Sequence, residues 1–391
     1  MKGCWLAALL FYPAALSAQS LTRADAVQSA LSRGGRLAIA AADTAAARAR
    51  LSGARVVEDP AFSASYSKSA PTLHFTLDWP VPFPGVRGAR TGSAQAGLRA
   101  AEYRYRLERA MATLDVDTIY TRALAIQAHA RYSSSNAAVA DTLVQIAVAR
   151  RNAGDASDLE VELARVNAGQ EHNMAIADSL ELVSVLSDLS TVTAIPQPVS
   201  LADTLSLPDT SAAMSVSGQP LTLAASLQSL SAAQLALRAE RRSVFGSPSI
   251  MAGIETHDPD QPGALPTYGI SIPIPLFNRN KAAIAAANAD LARARAELNA
   301  TTIEYNASVS RIRRQRHIAY RRALLDRDLL QSANRVASMS VRGYREGAFP
   351  IANVLEAQKS ARDVLRQYVD DLADAWNADA ALRVLTLTAG Q

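Results

Sequence analysis

Trp79-Pro80-Val81-Pro82-Phe83 recurs in altered form as Ile272-Pro273-Ile274-Pro275-Leu276, so the first proline of this motif returns 193 residues later. A second pair of segments keeps the same interval, because Arg151-Asn152-Ala153-Gly154 corresponds to Tyr344-Arg345-Glu346-Gly347. Between the two motifs, both halves of the chain contain a long segment that is rich in alanine and free of proline. A gap-free repeat of this size predicts two copies of one large supersecondary unit.

Residues 1–18 have the pattern of a secretory signal peptide. Lys2 precedes an apolar run over residues 5–16, and small residues surround the predicted cleavage point after Ala18. The run is shorter than the ~20 apolar residues that a membrane-spanning helix requires. The one cysteine, Cys4, lies inside this segment and before the apolar run. The exported protein is therefore expected to have no disulfide and no lipid anchor on cysteine.

The residues before each double-proline motif alternate between apolar and polar side chains. In the first copy the alternation covers residues 61–67 and 73–79, and in the second it covers 250–255 and 268–272. Alternation of this kind, with a turn between two runs, predicts a β-hairpin in each copy. A lone hairpin is marginal in water, so we expect these strands to pair with the other copy and with other chains. The apolar side, which would be the lipid face of a barrel, consists of Phe62, Tyr66, Leu73, Phe75, Leu77, Ile250, Ile254, Tyr268 and Ile270.

The predicted domain boundaries follow from the two copies. The first repeat covers residues 19–190, a proline-containing linker with little predictable structure covers 191–217, and the second repeat covers 218–391. A helix of about 60 residues would be roughly 90 Å long, and apolar residues spaced by seven in the returning helices predict antiparallel coiled-coil packing. In the first repeat the predicted segments are a hairpin at 59–81, a long helix at 87–150, a tip at 151–157 and a returning helix at 158–190. In the second repeat they are a hairpin at 248–275, a long helix at 281–343, a tip at 344–350 and a returning helix at 351–386.

Four strands per chain are too few for a closed transmembrane barrel, because single-chain barrels begin at about eight strands. Two chains would supply eight strands and three would supply twelve, at four strands each. A barrel of about eight strands is filled by its own side chains, so an open passage favours the larger number. The residues therefore predict a mainly helical protein with a small membrane β-barrel portion that several chains build together.

The chain resembles the TolC family of outer-membrane efflux proteins over nearly the whole mature length. The resemblance rests on the duplicated organisation, on Ile-Pro-Ile-Pro-Leu-Phe-Asn-Arg-Asn at residues 272–280, and on the turn at 343–347 that leads into residues 353–357, Asn-Val-Leu-Glu-Ala. The first of these stretches is most similar to the heavy-metal and cation efflux branch. The resemblance implies a homotrimer, in which a twelve-stranded barrel stands on a twelve-helix periplasmic tunnel.

The resemblance also implies a function without catalysis or a cofactor. The protein would be a passive exit duct in the outer membrane, in contact with outer-membrane lipid. An inner-membrane pump, for which the RND type is favoured, would deliver substrates to it together with a periplasmic adaptor.

The family places gate residues at the tunnel tip. Tyr344 matches the family's gate tyrosine, Phe349 stands in place of an arginine, and Asn353 and Glu356 stand in place of two aspartates. The resulting gate candidates are Tyr344, Asn353, Glu356, Asp158 and Glu162. The candidates for docking the adaptor are Gly154, Asp155, Ser157, Gly347, Phe349 and Pro350.

Two other functions fit parts of the sequence: a soluble periplasmic coiled-coil adaptor or scaffold, and an exit duct for polypeptides in type I secretion. The apolar strand faces count against the soluble adaptor. No nucleophile or phosphate-loop motif supports an enzyme, and the five histidines lack partners at the helical spacing of metal ligands. A net charge of only +4 with 5% aromatic residues gives no support for nucleic-acid binding. The arginine-rich stretch 311–322 is interpreted as a salt-bridged helix face.

Overall fold

The computed structural model describes residues 19–196, 199–209, 218–261 and 263–390. The predicted signal peptide at residues 1–18 lies outside the described residues. Within them the helices are α1 (Arg23–Arg33), α2 (Gly35–Arg55), α3 (Val86–Asn152), α4 (Asp158–Thr193), α5 (Leu221–Arg242), α6 (Lys281–Arg345) and α7 (Ile351–Thr386). The strands are β1 (Gln19–Leu21), β2 (Ala61–Tyr66), β3 (Leu73–Pro80), β4 (Val199–Leu201), β5 (Ser249–Thr256) and β6 (Leu265–Ser271).

The chain divides into two compact units. The helical unit consists of Met1–Gly34, Ala112–Ser211 and Arg313–Ala381, and the sheet unit consists of Gly35–Met111, Ala212–Ile312 and Leu382–Gln391. One order of elements, helix, two strands, long helix and returning helix, runs from α2 to α4 and again from α5 to α7. The long helices α3 and α6 contain 67 and 65 residues, and the returning helices α4 and α7 contain 36 each. No helix within the described residues is both long enough and apolar enough to span a membrane.

The sheet unit contains a four-stranded antiparallel sheet in the order β2-β3-β5-β6. Strands β3 and β5 join the two hairpins along a register that runs from Leu73↔Thr256 to Pro80↔Ser249. The prediction that each hairpin pairs with the other copy is therefore confirmed. Because proline has no N–H to donate, the sequence predicts that strand pairing stops at each double-proline motif. This prediction is wrong in the first copy, because Val81 donates its N–H to the Pro248 carbonyl at 2.6 Å. Pro80 is the last residue of its strand, and its missing N–H does not prevent the next residue from donating to the neighbouring chain segment.

The helical unit contains a second, two-stranded sheet that the sequence did not predict. Strand β1 pairs in parallel with β4, and Gln19 lies opposite Val199. The segment 191–217 therefore carries more regular structure than predicted, since α4 also continues to Thr193. Positions 197–198 and 210–217 of that segment lie outside the described residues.

Tyr120 anchors this sheet to the helices. Its side chain is fully buried among apolar residues of α1, α3, α4 and the two strands. Its hydroxyl oxygen lies 2.8 Å from the Leu21 carbonyl oxygen and 2.8 Å from Asp203 Oδ2, two acceptors that share its single proton. Burial, followed by the hydrogen bond to Asp203, raises the pKa of the Tyr120 phenol above its ordinary value. The guanidinium of Arg23 lies over the Tyr120 ring and over Trp376, at 5.1 and 4.5 Å from the ring centroids.

An ion pair with a buried carboxylate connects helices α6 and α7 of the helical unit. Asp371 is fully buried, and its Oδ1 accepts from Arg322 Nη2 at 2.7 Å and from Gln367 Nε2 at 3.1 Å. Burial raises the pKa of Asp371 to about 6, and the nearby Asp326 carboxyl adds to this rise. The protonated form of Asp371 is therefore more favoured in the folded protein than in an unfolded chain.

Candidate functional site

The sheet of the sheet unit exposes a continuous apolar face. The register places Phe62 opposite Leu77, and Ile250 opposite Ile270, so these side chains project from the same side. The large apolar side chains on this face are exposed, and they reach 83% for Tyr268. They are Phe62, Tyr66, Phe75, Leu77, Trp79, Ile250, Ile254, Tyr268 and Ile270. An apolar surface this large marks a contact with another protein or with a membrane.

The opposite face of the same sheet is polar. Ser65 lies opposite His74, and His74 lies opposite Glu255. His74 Nδ1 is 3.4 Å from Glu255 Oε1, and its Nε2 is 3.3 Å from Ser67 Oγ. All nine residues predicted for the apolar side therefore project from one face, although Leu73 is only half-exposed in the single chain.

The outer strands of this sheet are β2 and β6, and each pairs on one side only within the described residues. Such edges present unpaired backbone donors and acceptors that favour pairing with another strand. A four-stranded sheet with two open edges and one exposed apolar face is incomplete as a structure in water.

The second candidate site is formed by the two tips, which are the turns α3–α4 and α6–α7 of the helical unit. Gly154 and Gly347 have φ values of +86° and +80°, a left-handed conformation that glycine adopts at little cost. At the first turn the Gly154 N–H reaches the Arg151 carbonyl at 3.0 Å and the Asp155 N–H reaches the Arg150 carbonyl at 2.9 Å. The second turn has the same pair of hydrogen bonds, so both helices end in a Schellman motif.

Tyr344 lies in the last turn of α6 rather than in the predicted loop at 344–350, because α6 continues to Arg345. Its side chain is fully buried, and its hydroxyl donates to Glu160 Oε2 at 2.9 Å. Arg150 lies over the ring at 4.7 Å from its centroid and donates from Nη1 to the Tyr344 carbonyl at 3.1 Å. Burial, followed by the hydrogen bond to Glu160, raises the pKa of the Tyr344 phenol to about 12. Tyr344 thus joins α6 to both helices of the first tip.

Phe349 lies against the end of α6 and is about half-exposed. Its ring covers Gly343, where an added Cβ would overlap ring atoms Cδ2 and Cε2. Glycine at position 343 therefore lets the aromatic ring lie directly on the helix backbone.

The remaining gate candidates are exposed. Asp158 accepts from Arg151 at 3.2 Å, and Glu162 accepts from Arg165 at 2.9 Å. Asn353 and Glu356 are exposed on the first turns of α7. Of the five gate candidates, Tyr344 alone is buried, and the other four are exposed in the single chain.

Two residues of the Tyr344 cluster, Glu160 and Arg150, were not predicted as site residues. Ser157 caps α4 and accepts from the Glu160 N–H at 3.3 Å, so the sequence signal at these positions is that of a capping box. In the structure the Glu160 carboxylate bonds to Tyr344 instead. No group of three or more histidine and acidic side chains within the described residues is arranged to hold a metal ion.

The fold is similar to that of solved outer-membrane channels. The outer membrane protein VceC from Vibrio cholerae superposes with a TM-score of 0.78 at 18% identity, over 94% of this chain and 96% of VceC. CusC gives a TM-score of 0.78 at 16% identity over 94% of this chain and 92% of CusC. The Campylobacter jejuni CmeC outer membrane channel gives 0.74 at 15% identity over 93% of this chain and 85% of CmeC.

A comparison with curated protein sequences found no match. The family model described as outer membrane efflux protein matches residues 221–386, from the start of α5 to the end of α7. The two motifs and the family model thus indicate the same family, which is matched over residues 221–386, within a chain that has the fold of solved outer-membrane channels.

Proposed function

We propose that this protein is the outer-membrane channel component of a tripartite efflux system. Three copies assemble, and their sheets close into a twelve-stranded barrel, since each copy supplies four strands. The helices of the three copies form a periplasmic tunnel, and the protein acts as a passive duct. An inner-membrane pump, with the RND type favoured, supplies substrates to it together with a periplasmic adaptor.

The observation that carries this proposal is the incomplete sheet. Its apolar face would meet lipid, and its open edges β2 and β6 would pair with the edges of neighbouring copies. A barrel in a membrane would cover both the exposed apolar face and the unpaired strand edges of the single chain, because a closed barrel has no edges and a bilayer covers apolar side chains. The strands contain 6–8 residues each, somewhat short of the ~9–11 of a membrane-spanning strand, so the barrel suits a thin membrane.

The duplicated order of elements supports a tandem origin for the two copies. The predicted repeats at 19–190 and 218–391 then represent one helix–hairpin–helix–helix unit used twice, with the linker 191–217 between them. Three chains supply six such units, and their long and returning helices make up twelve helices of the tunnel wall.

The tips are proposed as the closed end of the duct and as the adaptor's docking point. Tyr344 would hold the tip through Glu160 and Arg150, and the exposed residues Asn353, Glu356, Asp158 and Glu162 would line the opening. The adaptor would contact the turns through Gly154, Asp155, Ser157, Gly347, Phe349 and Pro350. Half-exposed Phe349 supports this assignment, since an aromatic side chain at a turn is a common anchor for a partner.

The test is to purify the full chain from membranes in detergent, measure its mass by sedimentation, and add it to planar lipid bilayers. We expect a trimer that produces discrete ionic conductance steps. A matched pair of variants separates the two faces of β6: Ile270→Arg on the apolar face should reduce recovery from the outer membrane, and Thr267→Arg on the opposite face should not. A monomer that stays in solution without detergent and forms no pore would overturn the proposal.

A further inference from the structure

A histidine and a glutamate face each other on the polar side of the four-stranded sheet. The antiparallel register places His74 on β3 opposite Glu255 on β5. His74 Nδ1 is 3.4 Å from Glu255 Oε1, and 29% and 31% of the two side chains are exposed. Within the residues that the structure describes, no arginine or lysine forms an ion pair with Glu255. The carboxylate thus faces the imidazole without a permanent cation beside it, and both groups remain open to water.

Ser67 determines which nitrogen of the His74 ring carries a proton. Its Oγ lies 2.7 Å from the Ser69 carbonyl oxygen and 3.1 Å from the Pro71 carbonyl oxygen. The same Oγ is 3.3 Å from His74 Nε2. A carbonyl oxygen cannot donate, so the single hydroxyl proton of Ser67 goes to one of the two carbonyls, and Nε2 must donate to the hydroxyl oxygen. In the neutral imidazole, Nδ1 then has a free lone pair on the side of Glu255.

Two hydrogen-bond acceptors therefore face each other across the gap between β3 and β5. A lone pair on Nδ1 and a carboxylate repel each other unless a positive charge lies between them. A proton on Nδ1 is one such charge, but charge-assisted N–H···O bonds are about 2.7–2.9 Å long. The distance of 3.4 Å between His74 Nδ1 and Glu255 Oε1 exceeds that range. A larger cation fits the gap better than a proton does.

The distance across the gap matches the edge of a tetrahedral zinc site. Zinc binds histidine nitrogen at roughly 2.0–2.1 Å and carboxylate oxygen at roughly 2.0–2.2 Å. At a tetrahedral angle of about 109°, two such ligand atoms are roughly 3.4 Å apart, whereas an octahedral ion with the same bond lengths would need roughly 3.0 Å. Imidazole with carboxylate is also a donor set that suits Zn²⁺, while Ca²⁺ and Mg²⁺ prefer oxygen ligands alone.

We propose that His74 Nδ1 and one Glu255 oxygen bind Zn²⁺ on the polar face of the sheet. Water fills the two remaining tetrahedral positions, since both side chains are partly exposed. Ser67 is a positioning residue, because it holds the proton of His74 on Nε2 and so keeps Nδ1 available to the metal. The site lies within one chain and needs no neighbouring copy, so it goes beyond the proposed duct and does not depend on it.

Titration of the full chain with Zn²⁺ alone tests the site. The protein is purified in detergent without a histidine tag, stripped of metal with a chelator, and titrated in a calorimeter. His74→Gln and Glu255→Gln each remove one ligand and keep a polar side chain. The matched control is His172→Gln, because His172 Nε2 lies 3.0 and 3.2 Å from the two Asp141 carboxylate oxygens, within hydrogen-bond range of both. Sedimentation of each sample gives its assembly state.

We expect one tight Zn²⁺ site per chain in the unchanged protein and in His172→Gln. Each ligand variant should weaken this binding more than about 100-fold, since even the loss of an outer-shell partner costs about 10–100-fold. An unchanged titration in His74→Gln, or a tight site that is lost in His172→Gln, would overturn the proposal. The absence of a tight site in the unchanged protein would overturn it as well.

The assembly state separates this proposal from the proposed duct. A trimer without the zinc site would overturn the site and leave the duct standing. A monomer that binds Zn²⁺ through His74 and Glu255 would overturn the duct and leave the site standing.

Cobalt reports the coordination geometry, because tetrahedral Co²⁺ absorbs visible light strongly and octahedral Co²⁺ absorbs it weakly. We expect a strong visible band when Co²⁺ is added to the unchanged protein, and its loss when Zn²⁺ is added afterwards. The band should be missing in Glu255→Gln. A weak spectrum of the octahedral type in the unchanged protein would contradict the tetrahedral site.

Substitution of Ser67 tests its positioning role. Ser67→Ala removes the acceptor of the Nε2 proton and should weaken Zn²⁺ binding about 10–100-fold without changing the number of sites. Ser67→Thr keeps a hydroxyl and should restore the affinity. If Ser67→Ala lowers thermal stability and leaves the Zn²⁺ affinity unchanged, Ser67 only holds the turn, and the tautomer assigned to His74 is wrong.

Discussion

Replacing Tyr344 by phenylalanine should loosen the second tip by removing one hydroxyl. The change keeps the buried ring and the stacked Arg150, so the lost interaction is the 2.9 Å hydrogen bond to Glu160. Hydrogen bonds to charged groups contribute about 1.5–3 kcal/mol. Glu160 is half-buried, so water can solvate its carboxylate once the phenol hydroxyl is gone, and the lower end of this energy range applies. About 1.5 kcal/mol corresponds to a roughly tenfold larger constant for local opening.

Hydrogen exchange measured by mass spectrometry is the suitable assay, since it reports the opening of a segment within the assembled protein. Peptides that cover residues 340–351 should exchange roughly tenfold faster in Tyr344→Phe at a fixed pH. Tyr320→Phe, on the same helix and also half-buried or more, serves as the matched control and should leave these peptides unchanged.

A double-mutant cycle decides whether the hydrogen bond itself is responsible. Glu160→Gln alone should also speed exchange at the tip, because it replaces a charged acceptor by a neutral one. In the Tyr344→Phe background the same substitution should add little, since the bond is already absent. Unchanged exchange in Tyr344→Phe, or full additivity of the two effects, would refute the reasoning.

Three further predictions concern other parts of the chain. Gly347→Ala places a Cβ at φ +80° and should destabilise the second tip by about 1 kcal/mol. The control Gly97→Ala lies in a helix with open space at the Cβ position and should be neutral or stabilising. Thermal unfolding of both variants checks this prediction. Because the pKa of Asp371 is raised to about 6, the stability that its proton provides is complete below about pH 4 and is lost as the pH rises through 6. Asp371→Asn should flatten the pH profile of thermal unfolding between those values, and an unchanged profile would contradict the cause given for the shift. Tyr120→Phe should expose β1 to proteolysis, since the hydroxyl bonds to the Leu21 carbonyl; limited proteolysis with N-terminal mapping measures the effect.

The elements that local sequence defines were predictable. Gly154 and Gly347 follow the ends of their helices in a left-handed conformation, which glycine adopts more easily than other residues, so the residue type itself predicts the helix end. Alternation fixed which side chains of β3 and β5 share a face, since one residue of slip would have exchanged apolar and polar sides. The long proline-free segments became the long helices α3 and α6.

The features that depend on distant partners were not predictable. Strands β1 and β4 contain three residues each, too few for a periodic signal, and they are defined by a pairing across about 180 residues. The hydrogen bond between Tyr344 and Glu160 was also not predictable from the sequence. Glu160 is the third residue of α4 after the N-cap Ser157, and in a capping box its carboxylate would accept from the backbone N–H of that N-cap residue. The double-proline motif predicts the end of strand pairing, yet Pro80 lies opposite Ser249 and Val81 donates its N–H to the Pro248 carbonyl.

The parallel pairing of β1 with β4 also sets an order of events during synthesis. Gln19–Leu21 leaves the ribosome about 180 residues before Val199–Leu201, so at roughly 5–20 residues per second its partner strand arrives about 10–40 s later. Until then the backbone donors and acceptors of Gln19–Leu21 have no partner strand, so this short sheet can form only after the first half of the chain has been made.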